Sequence, residues 1–205
     1  MALPLLPVAL AGIAAGAAYL GWRLFGSAPA GVTIQYPLAS KIAYPLTAEQ
    51  MGAAEGVESA LIDEQVPPEI GAAIFANYWS ESKLLPGAVG DAGASVGVAQ
   101  IHTNGGVAPY LASLSDRTDP YKSTIAMIKF MRDHKGTLTI AGAAPGGVPS
   151  AAGPDPLTLY DQGSRDIEKL TTAFRYHVER PAYSASGVAS RERHAREMFP
   201  VRAVF

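Results

Sequence analysis

The chain has 205 residues, 48 % of them apolar, and a formal net charge of −2. That suits one compact domain with an appendage, and the lack of any basic excess or nucleic-acid-binding spacing argues against a nucleic-acid partner. There is no cysteine, so disulfide frameworks, thiolate metal sites and cysteine nucleophiles are excluded. The four histidines, His102, His134, His177 and His194, never stand three or four apart. No helical zinc pair is present, and neither a metal nor a cofactor is expected.

Residues 2–22 carry no charged side chain; the first is Arg23. At about 1.5 Å each they reach roughly 30 Å, the thickness of a bilayer's hydrocarbon core. Residues 1–26 are therefore read as a transmembrane anchor helix, with the bilayer as partner of residues 2–22. Ala9, Ala11, Gly12, Ala14, Ala15, Gly16, Ala17 and Ala18 crowd this stretch. Small residues let membrane helices approach closely, which opens a route to homo- or hetero-oligomers. Tyr19 and Trp22 stand where interfacial aromatics do. Ala28-Pro29-Ala30 has the shape of a signal-peptide cleavage site, but a basic leading region is missing and the apolar run is long. Glycine content argues against a third reading, a buried core helix. Arg23 and Lys41 come after the segment, and by the positive-inside rule they favour a cytoplasmic C-terminal part.

Residues 27–46 read as an extended stalk, because Tyr36-Pro37-Leu38-Ala39 and Tyr44-Pro45-Leu46-Thr47 favour extended backbone before each proline. The main domain is expected over 47–205. Thr47-Ala48-Glu49-Gln50 is a capping box, with Leu46 and Met51 at the staple positions. Met51, Ala54, Leu61 and Ile62 give the next helix an apolar face, and Pro67 should end it. Pro68 can open a second helix, with Glu69 in its first turn, running to about Lys83. Residues 87–104 are Gly-rich and read as a short irregular or β-hairpin excursion with Val96 to Ile101 as its apolar part. A helix over 121–134 has Gly136 as its stop. Residues 141–156 are nearly all Ala, Gly, Pro and Ser, a loop that serves as a lid or a plain insertion. Ile167, Leu170, Phe174 and Val178 mark an amphipathic helix ended by Pro181. A last helix covers 189–199, with Arg191, Arg193 and Arg196 on a solvated face. Tyr110 and Tyr121 are packing residues.

On a helical wheel Ile70, Ile74, Asn77, Tyr78 and Glu81 share one face. An inward carboxylate loses hydration, which favours its neutral form. Glycosidic cleavage needs such an acid to protonate the leaving oxygen. On the helix alone, a salt-bridged glutamate at a helix terminus is the plainer account. The neighbouring residues change that balance. Ser80-Glu81-Ser82, then Pro86, then Gly90-Asp91-Ala92-Gly93 and Gly97-Val98-Ala99-Gln100-Ile101 resemble the lysozyme-like superfamily of soluble lytic transglycosylases and goose-type lysozymes. The resemblance covers about residues 66–104.

It implies a mainly α, α+β lysozyme-like fold with a small β-hairpin. It further implies a peptidoglycan glycosidase that cuts the β-1,4 bond between MurNAc and GlcNAc. Glu81 would be the catalytic acid. Ser82 would hold the acid or the sugar, and Gln100 would bind substrate from the cleft wall. Asp91 matches an aspartate that places the attacking water in goose-type lysozymes, although Gly-Asp-Ala-Gly is also ordinary turn chemistry. His102 stands where those lysozymes carry a further aspartate, and could take a proton near pH 6–7. Tyr160 is the nearest counterpart by position of a substrate-binding tyrosine in the transglycosylases. The outcome is hydrolysis or transfer to an anhydro sugar. The domain would then face the periplasm or cell wall, opposite to the side that the positive-inside rule favours, on a phage particle or an envelope-spanning machine. The rival is a non-catalytic lysozyme-like assembly protein.

Overall fold

A computed structural model describes residues 36–136, 153–179 and 185–200. The chain divides into two units, residues 1–31 and 32–205, and the described residues all lie in the second. The span expected over residues 2–22 therefore falls outside them. Among the described residues no helix is long and apolar enough to cross a membrane.

The first helix, α1 (Ala48–Asp63), opens on the capping box read from its sequence. Thr47 Oγ1 accepts the Gln50 N–H at 3.2 Å, and Gln50 Oε1 accepts the Thr47 N–H at 2.9 Å. Gln50 also donates from Nε2 to the carbonyl of Lys83 at 2.8 Å, so the start of α1 clamps the end of the next helix. Ile62, expected on the apolar face, is 50 % exposed, because the buried face runs instead through Ala53, Ala54, Val57 and Leu61.

The second helix, α2 (Pro68–Ser82), has proline at its first position and ends where Lys83 turns left-handed. Every residue from Glu69 to Tyr78 is buried. A helix buried all round sits at the centre of a domain, not on its surface. Burying a side chain such as Phe75, which has no exposed area, stabilises the fold by roughly 2–3 kcal/mol. The later helices are α3 (Pro120–Asp133), α4 (Pro156–Asp161), α5 (Ile167–Phe174) and α6 (Ala185–Met198). Helix α2 packs against α5 and α6, while α1 packs against α3. Tyr78 meets Phe174 edge-on at 6.4 Å, and Phe75 meets Phe199 at 6.0 Å.

Residues 36–46, expected to be the end of a stalk, lie against this core. Leu38 is fully buried, Tyr36 donates to the Val66 carbonyl at 3.0 Å, and the Ala43 N–H reaches the Met198 carbonyl at 3.0 Å. Extended backbone before proline says nothing about exposure, and the apolar Leu38 found a place inside. Ile167, Leu170, Phe174 and Val178 are all buried, in line with their spacing. The helix does not simply continue, however. Arg175–Glu179 form a π-helical turn that keeps Val178 inward. Helix α4 has a clear local signal, Asp155 before Pro156. Asp155 accepts the N–H groups of Leu157 and Thr158, as an N-cap does. Helix α6 begins earlier than its sequence suggests, at Ala185.

The excursion after α2 forms a three-stranded antiparallel sheet in the order β1 (Val89–Gly90), β2 (Ser95–Val96) and β3 (Ile101–His102). Val89 pairs with Val96, and Ser95 pairs with His102. Two-residue strands cannot hold themselves, so other groups brace them. Arg117 donates from Nη1 to the Ala94 carbonyl at 2.9 Å and to Thr103 Oγ1 at 3.0 Å. Gly97 has φ +86°, and a Cβ there would stand 1.9 Å from the Arg117 carbonyl oxygen. Only glycine permits both that conformation and that approach.

Candidate active site

The sheet and the C-terminal end of α2 face each other across a cleft of about 800 Å³, a size suited to a small ligand or a few sugar rings. Four of the six site residues expected from sequence line it: Glu81, Asp91, Gln100 and His102. Val107, Met127, Phe130 and Val178 supply apolar surface, and Gly105 and Gly106 open space beside them. A Cβ on Gly106 would sit 2.9 Å from the Phe130 ring.

Glu81 stands in the last turn of α2, with its side chain 28 % exposed. The desolvated acid expected from the wheel is not what the resting structure contains. Glu81 forms an ion pair with Arg191 of α6, whose side chain is 11 % exposed. The wheel misleads because α2 is buried on all faces up to Tyr78 and emerges only at its end. Arg191, expected on a solvated face, packs inward instead, and burial pulls its guanidinium pKa down to about 10. No spacing rule could have paired it with Glu81 from the far end of the chain. A second contact joins the same two helices. The Ser80 hydroxyl donates to the Ala76 carbonyl at 2.9 Å, so it accepts from His194 Nδ1 at 2.8 Å. Burial, then the nearby charges of Lys83 and Arg193, lowers the pKa of His194.

Asp91 lies in the β1–β2 turn, and its Oδ2 accepts the Ser95 hydroxyl at 2.5 Å. Asp91, Ala92 and Gln100 take positive φ values of 49°, 53° and 46°. Such conformations cost on the order of 1–3 kcal/mol each in side-chain-bearing residues and tend to gather at functional sites. Here all three belong to one wall of the cleft or its turn. Gln100 is held by its amide nitrogen, which donates to the Ala88 and Gly97 carbonyls. His102 is exposed, and its Nδ1 accepts the Asn104 N–H at 3.1 Å.

Two expected site residues lie elsewhere. The buried Ser82 hydroxyl sits 2.9 Å from the carbonyls of both Tyr78 and Val98 and accepts the Leu84 N–H at 3.1 Å. It ties the helix end to the sheet and does not line the cleft. Tyr160 is buried on α4, with the Arg165 guanidinium 3.7 Å from its ring centre, and it does not line the cleft either. Among the described residues no group of three or more His, Asp or Glu could hold a metal ion.

A mainly helical domain, with a glutamate at a helix end facing a small antiparallel sheet across a cleft, is lysozyme-like in class. A family model described as phage tail lysozyme matches residues 53–201. The chain belongs to the phage tail lysozyme family. Among curated proteins and among solved structures nothing matches the chain.

Proposed function

We propose that the domain cleaves the β-1,4 bond between MurNAc and GlcNAc in peptidoglycan, with Glu81 as the general acid. The observation that carries this is the cleft itself. It gathers Glu81, Asp91 and two polar side chains of the sheet on facing walls. Glu81 gives its proton to the leaving glycosidic oxygen as the C–O bond breaks. Water then attacks the anomeric carbon and passes a proton to Asp91, whose carboxylate Ser95 orients. In the other outcome the substrate's own hydroxyl attacks and leaves an anhydro sugar. Asp91 on the cleft wall favours water.

The resting ion pair has a consequence for this scheme. An acid catalyst must hold a proton, and a guanidinium beside a carboxyl group favours its charged form. A glycan entering the cleft displaces water and separates the pair, so the acid forms on binding. The same ion pair favours a second reading, in which the domain binds glycan or a partner without cutting it. In either reading the family membership supports a place on a virion, where local opening of the wall is needed. Residues 2–22 would tether the domain to a bilayer, which membrane fractionation with and without that segment tests.

The deciding experiment is digestion of purified cell walls by the wild-type chain and Glu81→Gln, with mass spectrometry of the products. Muropeptides with reducing ends indicate hydrolysis, and anhydro ends indicate transfer. No soluble fragments from the wild type would leave only the binding reading.

A further inference from the structure

Three residues in a row, Asp91, Ala92 and Gly93, take positive φ values of 49°, 53° and 96°. Two of them carry side chains, and such backbone persists only where the surrounding structure over-determines it. The Ala94 N–H closes the turn on the Asp91 carbonyl at 3.1 Å, and the Ser95 hydroxyl holds the Asp91 carboxylate. The turn is then pinned from outside through one atom. The Ala94 carbonyl accepts the Thr103 N–H at 2.9 Å, the Thr103 hydroxyl at 3.0 Å and Arg117 Nη1 at 2.9 Å. The same Nη1 donates to Thr103 Oγ1 at 3.0 Å. Arg117 Nε donates to the Leu114 carbonyl at 2.9 Å, which anchors the guanidinium to its own turn of chain. Bonds from a charged donor are stronger than neutral ones. The backbone of Arg117 meets the other end of β2, where its carbonyl oxygen lies against Gly97. Arg117 thus grips β2 at both ends, before Ser95 with its side chain and after Val96 with its backbone.

We infer that Arg117 is a positioning residue for the reaction: it holds the Asp91–Ser95 turn so that Asp91 can take the proton of the attacking water, and it thereby sets how much cleavage ends in hydrolysis rather than internal transfer. The inference rests on the glycosidase reading and on Asp91 as the base within it. In hydrolysis the oxygen of water bonds the anomeric carbon as the glycosidic C–O bond breaks. The proton of Glu81 leaves with the departing oxygen, and the proton of water passes to Asp91. In transfer a hydroxyl of the sugar supplies the oxygen, and its proton returns to the ionised Glu81. Only the first route needs Asp91. Arg117 itself does not line the cleft, so its effect on the chemistry passes through the turn. Loosening that turn slows water attack and leaves transfer as it was.

The test compares the full chain with Arg117→Met and Arg117→Lys on purified sacculi. It reads kcat, apparent KM and, by mass spectrometry, the ratio of reducing to anhydro ends. Arg117→Met should lower kcat roughly ten- to a hundredfold, the scale of a misplaced reacting group, and leave apparent KM near the wild-type value. The product ratio should fall towards anhydro ends. Lysine keeps the charge but has no rigid fork to span Leu114 and Ala94, so Arg117→Lys should recover part of both. Thr103→Val keeps the main-chain bond to Ala94 and loses the hydroxyl, and should shift the ratio the same way by less. If Arg117→Met does not fold, these two milder variants decide, and an unchanged ratio in both overturns the inference. A wild-type ratio in folded Arg117→Met also overturns it, as does a rate loss that leaves the ratio unchanged, the mark of a merely structural role. On an Asp91→Asn background Arg117→Met should move the ratio no further. A further shift there overturns action through Asp91. The underlying reading fails differently, in the wild type itself. No cleavage removes the glycosidase, anhydro ends alone remove Asp91 as the base, and either result overturns the inference with it.

Discussion

On the sheet wall of the cleft, polar side chains are held by groups from the same short stretch of chain. Gln100 hangs from Ala88 and Gly97, His102 from Asn104, and Asp91 from Ser95. On the helical wall, Glu81 is held by a side chain of α6. The carbonyls that hold Gln100 keep their place whatever the pH. An ion pair is different, because it breaks when its acid takes a proton or a ligand separates the charges. The sheet wall thus fixes Gln100 through neutral partners, while the acid on the helical wall is held by a charge. Catalysis by a general acid needs both a fixed frame and a proton that can move.

The comparison can be broken first at Glu81. Glu81→Gln should lower cleavage by about 10²- to 10⁴-fold while binding to cell walls persists, the usual scale for losing a general acid. Fragment release near the wild-type rate would falsify its role. The next largest effect falls on the sheet wall. Gly97→Ala meets both a positive φ and the Arg117 carbonyl, and should cost about 3 kcal/mol or more of stability, read from denaturant unfolding. A midpoint within error of the wild type would mean the sheet is not braced as described.

Arg191→Met addresses the breakable wall. The acid must be protonated, so activity is lost as pH rises through its titration. Removing the guanidinium favours the protonated form. The alkaline limb of the rate–pH profile should therefore move to higher pH. An unmoved limb would show that the pair does not govern the acid.

The smallest effect lies outside both walls. Burial pushes the Asp155 carboxyl up, but bonds from the Thr158 hydroxyl and from the Gly136 and Thr158 amides, with His177 nearby, bring it below the usual range. A depressed carboxyl stabilises the fold above its unfolded value, and that stability is lost as pH falls through the lower folded value, below about pH 4. Asp155→Asn keeps a capping oxygen but loses an acceptor for the Gly136 N–H and the Thr158 hydroxyl, and should cost about 1 kcal/mol at neutral pH. Its melting temperature should converge with the wild type's in acid. A constant gap across pH would contradict this.

Local chemistry is legible in the sequence. The capping box at Thr47, the proline start of α2 and the buried face of Ile167, Leu170, Phe174 and Val178 each depend on residues within a few positions. The excursion after α2 is legible for the same reason, and the structure makes it a small sheet. Helix α4 has its signal in Asp155-Pro156, which the surrounding Gly/Pro-rich stretch obscures. The rest of that stretch, residues 141–152, lies outside the described residues, and with it the question of a lid.

Sequence alone determined where the first helices start, which residues could carry acid chemistry, and that a glycine-rich excursion comes after α2. These come from dihedral preference and periodicity, which act over short distances along the chain. Only the tertiary structure decided that Arg191 meets Glu81, that Gly97 lies against the Arg117 carbonyl, that Ser82 and Tyr160 pack away from the cleft, and that residues 36–46 join the core. Those outcomes depend on which distant surfaces become neighbours, and burial is settled only when the whole domain closes around α2.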